Sequence, residues 1–166
     1  MNIDQGNKLN QLLQNWHPGT LLFSTWLNKN GYSAQLMQQY RKSGWFSLLS
    51  KGVLYRTGDK FSAYAALSGL RTQLNKSFYV GVHSALELFG FNNYVPMGKP
   101  ILMVGHSKED KVLKWMTETD FEFEMKLFIT ETFANPQLTV IKENNSELLT
   151  SVPEQAFLEC LLLAPS

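Results

Sequence analysis

The chain has 166 residues, of which 44% are hydrophobic and 13% aromatic, so it can bury a real core and fits one or two small domains. No apolar run approaches membrane-spanning length, and the opening MNIDQGNK lacks the apolar stretch of a signal peptide. A single cysteine, Cys160, excludes an internal disulfide framework, and together these features read as a soluble, cytoplasmic chain.

The net charge of +1 hides an asymmetry. Residues 1–60 hold seven Lys/Arg against two Asp/Glu, a balance of +5, whereas residues 61–166 hold eight against twelve, a balance of −4. A polyanion is drawn to one end of such a molecule and repelled by the other.

Taken in order, Leu9, Leu12, Leu13 and Trp16 fall at i, i+3, i+4 and i+7, which predicts an amphipathic helix over Lys8–Trp16, stopped by His17-Pro18-Gly19. Thr20–Phe23 is a brief apolar strand. Ser24 is placed to cap a helix over Thr25–Asn30, Gly31 supplies the positive φ that ends it, and Ser33 caps a second helix over Ala34–Ser43. A short connection centred on a glycine is what swings one helix across another. After Gly44-Trp45, the runs Phe46–Leu49 and Val53–Arg56 are joined by Ser50-Lys51-Gly52, a hairpin turn with Lys51 at its tip and Arg56 at its base. This order is the punctuation of a winged helix-turn-helix. Trp26, Leu27, Tyr40 and Trp45 are expected to form its small core, and Gly58-Asp59 to close it, so residues 1–58 read as one domain and 59–166 as a second.

The helix after Ser33 has the most informative face. Gln35, Gln38, Gln39 and Lys42 fall at i, i+3, i+4 and i+7 with Arg41 at the edge, while Leu36, Met37 and Tyr40 point the other way. The stripe holds no acid. Glutamine can pair with adenine N6 and N7, and Lys or Arg with guanine or a phosphate, so this face can read a major groove with the hairpin on flanking phosphates or minor groove. The blander alternative is that Gln and Lys are good helix formers on any solvated face.

In the second half, Ala63, Leu67, Leu70 and Leu74 share one face of a helix over Ser62–Asn75, and Phe78–Val82 reads as a strand. Ser84-Ala85-Leu86-Glu87 is a capping box for a helix that closes at Gly90. Strands are expected at Ile101–Val104, at Phe121–Ile129 with Phe121, Phe123, Met125, Leu127 and Ile129 on one face, at Leu138–Ile141, and at Leu148–Val152. Pro153 opens a last helix that ends in Leu161-Leu162-Leu163. The fold class is therefore α+β: a winged helix-turn-helix, then a small mixed domain with a largely antiparallel sheet.

Enzyme chemistry finds little support. Asp120, Glu122 and Glu124 share one side of the expected strand, but their apolar partners explain that alternation as a solvated face rather than metal ligands. His17, His83 and His106 are scattered without a Cys partner or an i, i+4 pair, Val104-Gly105-His106-Ser107 lacks the order of a nucleophile elbow, and no phosphate-binding Gly-Lys-Ser/Thr occurs. Cys160, inside an apolar helical run, reads as a core residue. The sequence thus calls for no catalytic residue, metal or cofactor.

The segments WLNKNGYSAQLMQQYRKSGW, KGVLYRTGD, AALSGLRTQL, YVGVHSALELFGFNNYVP and SVPEQAFLECLLLAP resemble, in order and spacing, the AbiEi-type antitoxins of bacterial abortive-infection systems. The resemblance spans roughly Gly19 to Pro165 and is strongest at GYS…Y…SGW and HSALELFG. It implies an N-terminal winged helix-turn-helix that binds operator repeats in double-stranded DNA and represses its own operon. It also implies a C-terminal region that counters a toxin of the nucleotidyltransferase class. DNA contacts would fall on Ser33, Gln35, Gln38, Gln39, Arg41 and Lys42, with Lys51 and Arg56 on the wing. The family usually continues past the helix that begins at Pro153, so the second domain is expected to be incomplete at its C-terminal end. Gln155 stands where the family has Arg, and Gly81-Val82 where it has a glycine pair. The alternative carried beside this reading is a winged-helix module that docks a protein partner without binding DNA.

Overall fold

A computed structural model describes residues 3–14, 17–91, 97–129 and 135–163. The amino-terminal elements are α1 (Ile3–Gln14), β1 (Leu21–Phe23), α2 (Ser24–Lys29), α3 (Ala34–Lys42), β2 (Phe46–Ser50) and β3 (Val53–Arg56). The three strands form one antiparallel sheet in the order β1-β3-β2, which completes the expected winged helix-turn-helix. Helix α1 begins earlier than the Leu spacing indicated, and Trp16 lies outside the described residues.

Period-two alternation gives this small sheet two apolar faces. Leu22 and Leu54, register partners, join Phe46 in a cluster with Leu9 and Leu12 of α1, Leu27 of α2, and Leu36, Met37 and Tyr40 of α3. Leu21, Phe23 and Val53 point the opposite way, into a second and larger cluster. There they meet Ala63, Ala66, Leu67 and Leu70 of α4 (Ala63–Leu74). The sheet is therefore a partition: the three amino-terminal helices lie on one side and the rest of the chain on the other.

Beyond α4 come β4 (Tyr79–Val80), α5 (Val82–Leu88), β5 (Ile101–His106), α6 (Lys114–Glu118), β6 (Glu124–Ile129), β7 (Leu138–Glu143), β8 (Ser146–Ser151) and α7 (Pro153–Leu163). The strands form a five-stranded sheet in the order β6-β5-β4-β8-β7, with β4–β5 and β7–β8 antiparallel and β5–β6 and β4–β8 parallel. The fold is α+β as expected, with parallel and antiparallel pairings in equal share in this sheet.

Several local expectations are corrected by long-range hydrogen bonds. Ser24 does not cap α2; Phe23 occupies the cap position, and the Ser24 amide and hydroxyl both donate to the Gly52 carbonyl, at 2.9 and 3.2 Å. Ser84 does not cap α5, which starts after Gly81; its Oγ instead accepts from the Met103 amide at 2.9 Å and donates to the Ile101 carbonyl at 3.3 Å. The cap of α5 comes from α7, where Glu159 accepts from the Val82 amide at 3.0 Å. The strand expected from Phe121 begins only at Glu124, because the Glu122 carboxylate turns to the start of α4 and accepts from the Ala63 amide at 2.9 and 3.1 Å. Asp120 pairs with Lys99 at 2.7 Å, so the three acids of that stretch do not converge. Trp45 is 42% exposed rather than part of the small core, where Phe46 takes its place beside Tyr40. Helix α6 escaped the sequence reading because a single turn is too short to show a helical period. Cys160 is half-buried against the larger core, and burial with the neighbouring Glu159 charge pushes its thiol pKa up.

Candidate nucleic-acid interface

The local sequence sets α3 up well. The Ser33 hydroxyl accepts from the Leu36 amide at 3.1 Å, so the N-cap expected at Ser33 is present, and Arg41 and Lys42 lie in the last turn where cations favour the helix dipole. Leu36, Met37 and Tyr40 are buried and anchor the helix to the first core. Their burial leaves Gln35, Gln38, Gln39, Arg41 and Lys42 all exposed. The turn that aims the helix is also held from α1. Gly31 sits at φ +87°, the Tyr32 hydroxyl donates to the Lys8 carbonyl at 3.0 Å, and Lys8 Nζ donates to the Gly31 carbonyl at 2.9 Å. Burial of Tyr32 and Tyr40 pushes both phenols above their ordinary pKa, so these anchors are neutral.

The structure brings some of the predicted residues together. Gln38, Arg41 and Lys42 line a groove of about 520 Å³ whose opposite wall is Phe46, Ser47 and Leu48 of β2. Arg56 is the register partner of Phe46 and is exposed at the base of the hairpin, near the same end of the sheet. Lys51 is exposed at the other end of the hairpin, beside a depression lined by Ser24, Thr25, Lys114 and Trp115. Among the described residues, no ion pair involves Arg41, Lys42, Lys51 or Arg56. Ser47 was not singled out by the sequence reading. Its register partner is Tyr55, and its hydroxyl lies 2.8 Å from that of Thr57, on the face of the hairpin turned away from Phe46 and Leu48.

Chemically, this surface offers amides and cations to a ligand. Among the described residues no group of three or more His, Cys, Asp or Glu side chains is placed to hold a metal ion, and no described helix is long and apolar enough to cross a membrane.

Comparison with known proteins gives two matches of different weight. The chain is similar to the crystal structure of the RV2827C protein from Mycobacterium tuberculosis at 14% identity and a TM-score of 0.47, covering 81% of this chain and 48% of that one, and so spans about half its length. No curated protein matches the chain. The family described as transcriptional regulator, AbiEi antitoxin N-terminal domain, matches residues 5–97, which run from α1 past α5 and include the whole winged helix-turn-helix. With that match covering more than half of its length, the chain belongs to the AbiEi antitoxin N-terminal transcriptional regulator family.

Proposed function

We propose that this protein is a sequence-specific repressor that binds double-stranded operator DNA by placing α3 in the major groove. The observation that carries the reading is the acid-free face of α3, with Gln35, Gln38, Gln39, Arg41 and Lys42 exposed and the apolar residues between them buried. Ser33 at the head of the helix, and Lys51 and Arg56 on the hairpin, complete the proposed contact set. Residues 1–58 act as the DNA-binding unit and residues 59–166 as its companion domain. Operator repeats in the chain's own operon are the proposed target, and two protomers would fill an inverted pair. A nucleotidyltransferase-class toxin is the proposed functional partner, and the cytoplasm, where operator DNA resides, is the site of action.

The test is a fluorescence-anisotropy titration of the full chain against random-sequence duplex at two salt concentrations. Affinity that falls steeply with salt is expected, since each phosphate contact releases counterions. Negligible affinity at both salts overturns the proposal. It would favour a second reading, docking of a protein partner, which the exposed Phe157, Leu158, Leu161 and Leu162 of α7 support.

A further inference from the structure

The outward side of α3 is two surfaces. Gln38, Arg41 and Lys42 form one wall of the groove against Phe46, Ser47 and Leu48, whereas Gln35 and Gln39, one helical turn apart, are exposed outside it. The chemistry divides along the same line. Both cations of the helix stand at the groove, and the pair outside it consists of neutral amides.

A neutral amide has no charge with which to hold a phosphate, but its adjacent donor and acceptor match N6–H and N7 of adenine in the major groove. A groove with a guanidinium and an ammonium beside an exposed leucine matches instead a phosphodiester strand. The cations can take phosphate oxygens while the exposed Leu48 lies against deoxyribose. Arg56, opposite Phe46 across the hairpin, continues the cationic path.

Building on the DNA-binding reading above, we propose that the ligand is a duplex with adenines in the major groove opposite Gln35 and Gln39, one strand of which runs its phosphates through the groove between α3 and β2. Gln35 and Gln39 are the specificity-determining residues. Arg41 and Lys42 are positioning residues, and Gln38, on the groove wall, adds at most an uncharged hydrogen bond to the strand and selects no base. Residues i and i+4 are about 6 Å apart along a helix, and base pairs are about 3.4 Å apart, so the two adenines lie within about two base-pair steps.

The experiment starts from duplexes enriched by the full chain from a random pool. These are resynthesised with adenine replaced singly by 7-deazaadenine, which lacks N7, and separately with single methylphosphonate linkages. Removing N7 at the recognised adenines should weaken the wild-type chain on the order of tenfold and should weaken Gln35→Ala or Gln39→Ala no further at the matching position. Arg41→Ala should weaken enriched and random duplex by the same factor and abolish the effect of one methylphosphonate. Gln38→Ala should likewise act on both duplexes alike. All these side chains are exposed, and an unchanged thermal midpoint for each variant keeps folding out of the comparison. The assignment is overturned if Gln35→Ala and Gln39→Ala lose equally on enriched and random duplex, or if no deazaadenine position matters. Wild-type binding to random duplex separates the two failures. If it is present, only the division of labour on α3 falls, and if it is absent, the DNA-binding reading falls as well.

Discussion

Gln73 on α4 hydrogen-bonds the free edge of β1 at Phe23: the Phe23 amide donates to Gln73 Oε1 at 3.0 Å, while Gln73 Nε2 donates to the Leu21 carbonyl at 2.8 Å. One side-chain amide thus does for the edge strand what a fourth strand would do, and it ties the far side of the small sheet to α4. Gln73→Ala leaves a donor and an acceptor of a half-buried backbone without partners. The expected cost is about 1–3 kcal/mol of unfolding free energy, read from the midpoint of a urea titration. An unchanged midpoint would show that water replaces both bonds without penalty.

Glu159 holds together the opposite end of the molecule. Its carboxylate is fully buried and accepts from the Val82 amide at 3.0 Å, the Ser151 hydroxyl at 2.8 Å and the Tyr79 hydroxyl at 3.3 Å. Burial, then the Glu159 charge and this hydrogen bond, push the Tyr79 phenol far above its ordinary pKa. Val82, whose amide is capped, sits at φ +56°, a left-handed conformation that a β-branched residue adopts only when its surroundings impose it. Glu159→Ala should destabilise by about 2–5 kcal/mol, since it opens a cavity and strands the Val82 donor. Glu159→Gln should cost less, because its carbonyl can keep that bond while the two hydroxyls rotate. Equal midpoints for the two variants would contradict the capping role.

Ser33 separates folding from recognition. Ser33→Ala removes the cap bond to Leu36 and should cost about 1 kcal/mol of stability. Ser33→Asp should restore the cap, since Asp serves as well as Ser at that position, yet it introduces an acid at the head of the helix proposed to face phosphate. Thermal melts should therefore rank Ala below wild type and Asp level with it. Duplex titration should show Asp as the weaker binder, most clearly at low salt.

Tyr64 gives a pH signature. Burial, followed by the charges of Glu143, Glu122 and Glu87, raises its phenol from 10.0 to about 12. Because the folded pKa exceeds the unfolded one, the contribution is fully present below pH 10 and is lost as pH climbs through about 12. Stability should fall across that window, and Tyr64→Phe should flatten the fall. Phenolate absorbance that titrates as in a free tyrosine would refute the shift.

Capping shows where local reading succeeds and fails. Ser33 does as its sequence context implies because its partner is three residues away. Ser24 and Ser84 stand in equally good contexts, but their hydroxyls are taken by Gly52 and by Met103 and Ile101. The carboxylates that accept from the first amides of α4 and α5, Glu122 and Glu159, lie 59 and 77 residues away, although α4 also has a local cap in Ser62, which accepts from the Ala65 amide. Separations of that size have no periodic signature. Trp45 is similar: an aromatic residue beside a glycine turn promises a core, and only the register of β2 decides that Phe46 points inward.

By itself the sequence determined the spacing that puts three amides and two cations on one face of α3, the glycines that turn the chain on either side of it, and the positive balance of the first 60 residues. It also determined that β1 is apolar in every position, which requires cover on both sides of the small sheet. What would supply each cover was left to the tertiary structure. There Leu22 and Leu54 meet the amino-terminal helices, and Leu21, Phe23 and Val53 meet α4 and the larger core. Because the sheet stands between them, the second half of the chain buries the back of the winged helix-turn-helix and leaves the amides of α3 open to solvent.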